Sequence, residues 1–209
     1  MFEDRNDAGE RLAALLTREG VEADVVLGIP RGALPVARPV ADALGAPLDV
    51  IVAKKMGAPN NPEYAIGAAA SDGSVFRNED AIERLGVDEA YVEREREAAA
   101  ETAREKEATY RQGDPPDLAG KRVVVVDDGV ATGATAMACL RMVNEAGAAW
   151  VALAVPVGPP HSLDELAVEA DEVYAVAEPT DFRAVGQYYR RFDQVSDEEA
   201  IDLLRGYEV

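Results

Sequence analysis

Residues 123–135, VVVVDDGVATGAT, restrict the possible folds more than any other stretch of the chain. Four consecutive valines carry no polar alternation. They predict a strand covered on both faces, as in a parallel sheet between helical layers. Asp127 and Asp128 then stand at the carboxyl end of that strand, the edge at which open α/β sheets bind ligands. Residues 129–135 are small, and they lead into a helical pattern at Ala136, Met137, Leu140, Met142 and Val143. Such a turn presents backbone N–H groups at a helix N-terminus, where anions are held. The stretch therefore offers carboxylates for hydroxyls or a metal beside a cradle for a phosphate.

Strand and helix patterns alternate through the rest of the chain. Residues 4–18 have the spacing of an amphipathic helix, with Leu12, Ala13, Leu15 and Leu16 on its apolar side. Next come a short strand at Val25–Leu27, a Gly-Ile-Pro-Arg-Gly turn and a helix from about 33 to 43. PLDVIVAKK reads as one strand ending in Lys54 and Lys55. MGAPNNPE (56–63) reads as a turn-rich loop and YAIGAAAS as a small-residue strand. Residues 88–112 predict one long helix, solvated and laced with i,i+4 charge pairs. After the valine strand the pattern gives helix 134–146, strand 150–156, helix 161–168, strand 172–177 and an acidic helix over 197–205.

This order predicts an α/β fold with a mainly parallel central sheet flanked by helices, in a single domain over residues 1–209. The core falls at about 24–177. The chain ends, about 1–22 and 178–209, are left to form a small cap, or hood, over the sheet's carboxyl edge.

Composition narrows the class. Forty acidic residues oppose 21 basic ones, for a formal net charge of −19. That balance opposes nucleic acid and anionic membranes as partners. The acids are scattered rather than gathered in a tail, which suits a halophilic protein in a saline cytoplasm. No apolar run approaches the roughly 18 residues of a membrane span. The acidic, amphipathic start does not read as a signal peptide, so a cytoplasmic location is expected. Cys139 stands alone, which excludes a disulfide framework and suggests a small core residue. His161, the single histidine, lacks metal-ligand companions and is expected on the surface.

Residues 123–135 resemble the phosphoribosyl pyrophosphate (PRPP) binding motif of the type I phosphoribosyltransferases: an apolar strand, two acids and a small Thr-Gly-x-Thr loop. The resemblance covers about 24–177. GIPRGA (28–33) resembles that family's pyrophosphate loop, which often carries an unusual cis peptide. AKKMGAPNNPEYAIGA sits where those enzymes carry basic residues and a mobile loop, so 56–63 is expected to close over the site. The whole sequence is similar to a less-characterised branch that shares DDGVATGAT, NPEYAIGA and a tail like FRAVGQYYRRFDQVSDEE. A Walker B strand is excluded because the chain has no G-x-x-x-x-G-K-[ST] partner.

The resemblance implies roles residue by residue. Ala131, Thr132, Gly133, Ala134 and Thr135 would wrap the 5-phosphate. Asp127 and Asp128 would accept the ribose hydroxyls, favour the positive ring of the transition state, and meet Mg²⁺ through those hydroxyls or water. Pro30, Arg31 and Gly32 would meet the pyrophosphate. Lys54 and Lys55 are adjacent, and strand alternation sends them to opposite faces. Lys55 is the choice for a catalytic cation, with Lys54 as a pyrophosphate contact. Phe182, five residues past Ala177, would stack on the base, whereas Tyr188, Tyr189 and Phe192 read as packing that anchors the cap. Ala131 replaces an aspartate of the hypoxanthine-guanine members, so that specificity loses support. The implied activity is Mg²⁺-dependent transfer of the 5-phosphoribosyl group between PRPP and a nitrogenous base, with a homodimer as the implied assembly. The alternative is a PRPP-binding regulator without transfer activity.

Overall fold

A computed structural model describes residues 1–111 and 113–205. Position 112 and positions 206–209, the predicted ends of the long helix and of the hood, lie outside them. The central sheet contains β1 (Val25–Gly28), β2 (Leu48–Val50), β6 (Arg122–Val126), β7 (Trp150–Val157) and β8 (Glu172–Ala177). Its order is β2-β1-β6-β7-β8, and every pair is parallel. The valine run is the middle strand. Val123 and Val125 are buried with Leu140 and Val143, whereas Val124 and Val126 are buried with Leu12, Val36 and Val40. Period-two alternation thus feeds two cores, which is why no polar residue is tolerated in the run. Each fully buried valine side chain contributes about 1.5–3 kcal/mol.

Helices α1 (Arg5–Arg18) and α2 (Leu34–Leu44) cover one face of this sheet. Helices α5 (Ala134–Glu145) and α6 (Pro160–Leu166) pack against the other. From β1 the chain crosses through α2 to β2 on one side, and from β6 through α5 to β7 on the other. The strand order therefore reverses between β1 and β6, which opens a crevice at their carboxyl ends. Gly28 pairs with Val126, so the loops after these two strands start level with each other.

Several sequence expectations are corrected. PLDVIVAKK is two strands in two sheets. β2 stops at Val50, Ile51 and Val52 cross between the sheets as buried residues, and β3 (Ala53–Ala58) begins an antiparallel sheet. The second sheet has the order β3-β4-β5, with β4 at Asn61–Ala70 and β5 at Val75–Arg77. Residues 56–63 are accordingly not an open loop: they form the end of the β3–β4 hairpin, turning at Pro59 and Asn60. Helix α3 (Glu79–Leu85), which the apolar pattern does not announce, is capped by Asn78.

Helix α4 (Glu89–Tyr110) is not merely a solvated rod. Val92, Ala99, Ala100, Ala103 and Tyr110 are buried, and Val92, Ala99 and Ala100 pack on Met56 and Ile66 of the hairpin. Alanines make this stripe narrow, and the charges on both sides of it hide its period. Helix α1, assigned from sequence to the cap, also belongs to the core through Leu12, Ala13 and Leu16. Cys139 is buried, and His161 is exposed beside Glu165. Among the described residues no helix is long and apolar enough to cross a membrane.

The chain ends are stitched to each other. Phe2 bridges Tyr189 in parallel, and the N–H groups of Arg190 and Arg191 donate to the carbonyls of Phe2 and Glu3. Phe2, Tyr189 and Phe192 form an aromatic chain with centroid spacings of 5.3 and 4.8 Å. Tyr189 and Phe192 thus pack as expected of residues anchoring the cap, Tyr188 stacks on Phe182 beside them, and Phe2 is a partner the sequence did not announce. Helix α7 (Asp197–Leu204) starts at Ser196, whose hydroxyl accepts from the Glu199 N–H, and packs through Ala200 in a cluster with Leu34 and Val50.

Candidate active site

The crevice between β1 and β6 gathers most of the predicted residues. Asp127 and Asp128 follow β6 directly. The Asp128 N–H donates to Asp127 Oδ1 at 2.8 Å. Burial, then the neighbouring Asp128, push the Asp127 carboxyl well above its ordinary range, against the pull of Lys55 and Arg5. Burial also raises Asp128, although Arg5 opposes it.

Arg5 is the site residue that sequence reasoning misses. Its Nε donates to Asp128 Oδ2 at 2.8 Å, and the two side chains are only 12 and 16 % exposed. The guanidinium lies 3.8 Å from the Phe192 ring centroid and donates to the Asp193 carbonyl at 2.6 Å. The Tyr189 hydroxyl donates to the Asp128 carbonyl at 2.5 Å, and burial raises its pKa. Helix α1 thus reaches the acid pair with its first turn, and the C-terminal segment holds that contact from behind. No local signal announces it, because the partners are 123 positions apart.

The loop after β1 lies against the acid pair. A Cβ on Gly32 would stand 2.2 Å from Asp128 Oδ2, so only glycine fits there. The Pro30–Arg31 peptide is cis. The Arg31 Nη1 donates to Asp197 Oδ1 of α7 at 3.3 Å.

Residues 131–135 form the turn into α5. Gly133 takes a left-handed conformation (φ 74°) as N-cap, without a side-chain cap on the helix. The first amides of α5 are therefore left to a ligand or water. Ala131 and Thr132 are exposed and Ala134 is buried, while the Ser162 hydroxyl fixes the turn by donating to the Ala131 carbonyl at 2.6 Å.

The lysines separate as strand alternation requires. Lys55 pairs with Ala68, which packs in a cluster with Ala134 and Ala138 of α5; Lys54 pairs with Ala69, which is buried with Met56 and Val92 on the α4 side. Lys55 lies close enough for its charge to act on Asp127. It also lines a cavity of about 620 Å³ with Thr132, Gly133, Ala134, Phe76 and Leu166. The second sheet brings Lys55 to the α5 turn and turns Lys54 from it.

Phe182 stacks on Tyr188, centroids 5.5 Å apart and planes 11° apart, within the cluster that contains Phe2 and Tyr189. It belongs to the hood, with one ring face already covered.

With this geometry established, comparison with known proteins decides the family. The family model described as phosphoribosyl transferase domain matches residues 3–189.

The chain belongs to the phosphoribosyl transferase family.

A Mycobacterium tuberculosis H37Rv protein named "Putative phosphoribosyl transferase Rv0571c" is 45 % identical over 205 residues, 98 % of this chain and 46 % of that one. The chain thus spans about half the length of the curated relatives it matches. The crystal structure of TT1426 from Thermus thermophilus superposes with a TM-score of 0.83 at 42 % identity, covering 99 % of both chains. A Neisseria gonorrhoeae hypothetical protein with bound ppGpp shares the fold at 16 % identity and a TM-score of 0.51, covering 100 % of this chain and 99 % of that one. In this phosphoribosyl transferase fold, the five-stranded parallel sheet flanked by helices is the predicted α/β architecture.

Proposed function

We propose that the protein transfers the 5-phosphoribosyl group between PRPP and a nitrogenous base, a nucleobase by preference, with release of pyrophosphate. One observation carries the reading. A half-buried acid pair, the uncapped start of α5 and the Pro30–Gly32 loop converge at the β1/β6 crevice. A phosphorylated, diphosphorylated sugar needs those three surfaces side by side.

Asp127 and Asp128 accept from the ribose hydroxyls, and the turn 131–135 holds the 5-phosphate. Pro30, Arg31 and Gly32 meet the pyrophosphate, and Lys55 supplies a cation beside the acids, whereas Lys54, turned to the α4 side, drops out of the expected contacts. A base nitrogen attacks C1 and the C1–O bond breaks, its electron pair leaving with pyrophosphate. The configuration at C1 inverts, and the base loses a proton. Charge on the ring rises in that transition state, so carboxylates beneath it stabilise it more than they stabilise the ground state.

Two carboxylates suit a hard cation. Among the described residues no group of three or more His, Cys, Asp or Glu is gathered around a metal. Mg²⁺ would therefore take its other ligands from PRPP and water, and when bound it would neutralise the leaving pyrophosphate.

The test is pyrophosphate release from Mg²⁺-PRPP across a panel of purine, pyrimidine and other heterocyclic bases, at low and high salt. Turnover with at least one base is expected. PRPP binding without turnover on any base would replace this reading with that of a PRPP-binding regulator.

Phe182→Ala tests the base contact. Stacking contributes about 1–3 kcal/mol per base, so the apparent KM for the base should rise by roughly tenfold. The KM for PRPP should stay near wild type, because the contact belongs to one substrate. Equal effects on both substrates would make Phe182 a packing residue of the hood.

A further inference from the structure

Each charged wall of the crevice is already matched by a charge from a chain end. On the acid wall, Arg5 stands on Asp128. In the loop after β1, Asp197 stands on Arg31. The signs are those that the proposed ligand would bring: hydroxyl donors and a cation to Asp128, a polyanion to Arg31.

The second contact is built into the fold. The Tyr110 hydroxyl, on a ring only 3 % exposed, donates to the same Asp197 Oδ1 at 2.6 Å. Asp197 is the first residue of α7, and the Ser196 cap fixes the turn in which it lies. The carboxylate is thus aimed at Arg31 from α7 and from the end of α4 together.

We propose that Asp197 is an internal competitor for the pyrophosphate subsite, occupying Arg31 until an anion displaces it. The inference rests on the reading of Arg31 as a pyrophosphate contact. It adds a residue, outside the PRPP-binding motif and the loop after β1, that sets how tightly that subsite binds. Helix α7 thereby becomes a strap whose grip on the loop after β1 weakens on ligand entry.

The exposure of the pair limits the effect. Asp197 is 56 % and Arg31 29 % exposed, and an ion pair of that kind shifts a competing equilibrium by about 2- to 5-fold. Asp197→Asn keeps an oxygen for Tyr110 and removes the charge, so the fold should persist while Arg31 is released.

Calorimetric titration with inorganic pyrophosphate decides the matter. Asp197→Asn should bind about 2- to 5-fold tighter than wild type, and Asp197→Glu should return to wild-type affinity. A residue that only supported the structure would not tighten binding when replaced. The gain should vanish in Arg31→Gln/Asp197→Asn relative to Arg31→Gln, which separates release of Arg31 from a general loss of negative charge. Unchanged or weaker binding by Asp197→Asn, a gain that survives without Arg31, or no pyrophosphate binding by any variant would each overturn the proposal. Tightening in a protein that turns over PRPP with no base would keep the competitor and remove the transfer reading, so the two fail separately.

Discussion

Asp127→Asn is expected to lower PRPP turnover about 100- to 1,000-fold, the usual loss when a preorganised electrostatic contact to a transition state is removed, and to raise the melting temperature at neutral pH. The two effects share one cause. Burial and the neighbouring Asp128 both oppose a charge on Asp127, so the carboxylate that would serve a cationic ribose is costly to the empty fold. The amide retains an oxygen for the Asp128 N–H, so the backbone of the turn keeps its bond.

The sign of the pH dependence follows from linkage. The folded-state pKa of Asp127 lies above the unfolded value. The native state therefore binds more protons between the two, and wild-type stability falls as pH rises through that window. Asparagine does not titrate. Its advantage over aspartate should be absent below about pH 4, the ordinary carboxylate range, and should grow as pH rises towards the raised folded-state pKa. Thermal melts across that range, read beside turnover, check both halves. Wild-type turnover in the folded variant would remove Asp127 from the site. Asp128→Asn should lose turnover similarly, but it gives up the Arg5 pair as well.

Arg5→Met should cost about 3–5 kcal/mol at pH 7, the range for breaking a buried ion pair from one side. Asp128 would be left without its cation in a place where only 16 % of its side chain meets solvent. The guanidinium would also be lost from the Phe192 ring and the Asp193 carbonyl. The double variant Arg5→Met/Asp128→Asn should recover more than half of the loss, because removing the second charge ends the burial penalty. Denaturant unfolding of the two variants measures the difference. If the double variant is no more stable than Arg5→Met, the stability comes from packing on Phe192 rather than from charge.

The two results bear on why the cap exists. A hood that only shielded the base would need apolar surface, and Phe2, Tyr189 and Phe192 supply it. This hood also places Arg5 on the acid pair and Asp197 beside the loop after β1. Its seat on the sheet is thereby tied to the charges of the crevice.

Sequence alone determined the features whose cause is local. Four valines without a polar break require cover on both faces, and β6 has it. A small-residue turn before an apolar helical period becomes the uncapped start of α5. Two acids directly after a buried strand stand at the sheet's carboxyl edge because the strand direction puts them there. The division of PLDVIVAKK between two sheets was not legible, since a continuous apolar run looks the same whether it pairs with one strand or crosses between layers. The burial of α4 was hidden for a related reason: alanines bury too little area to mark a stripe against so many charges. Tertiary structure by itself decided the electrostatics of the crevice. Arg5 and Asp128 are 123 positions apart, and Arg31 and Asp197 are 166 apart. A charge carries no mark of its partner in the chain, and it meets one only after the apolar faces of α1, α2, α4 and α7 have packed and brought both ends of the chain to the same edge of the sheet.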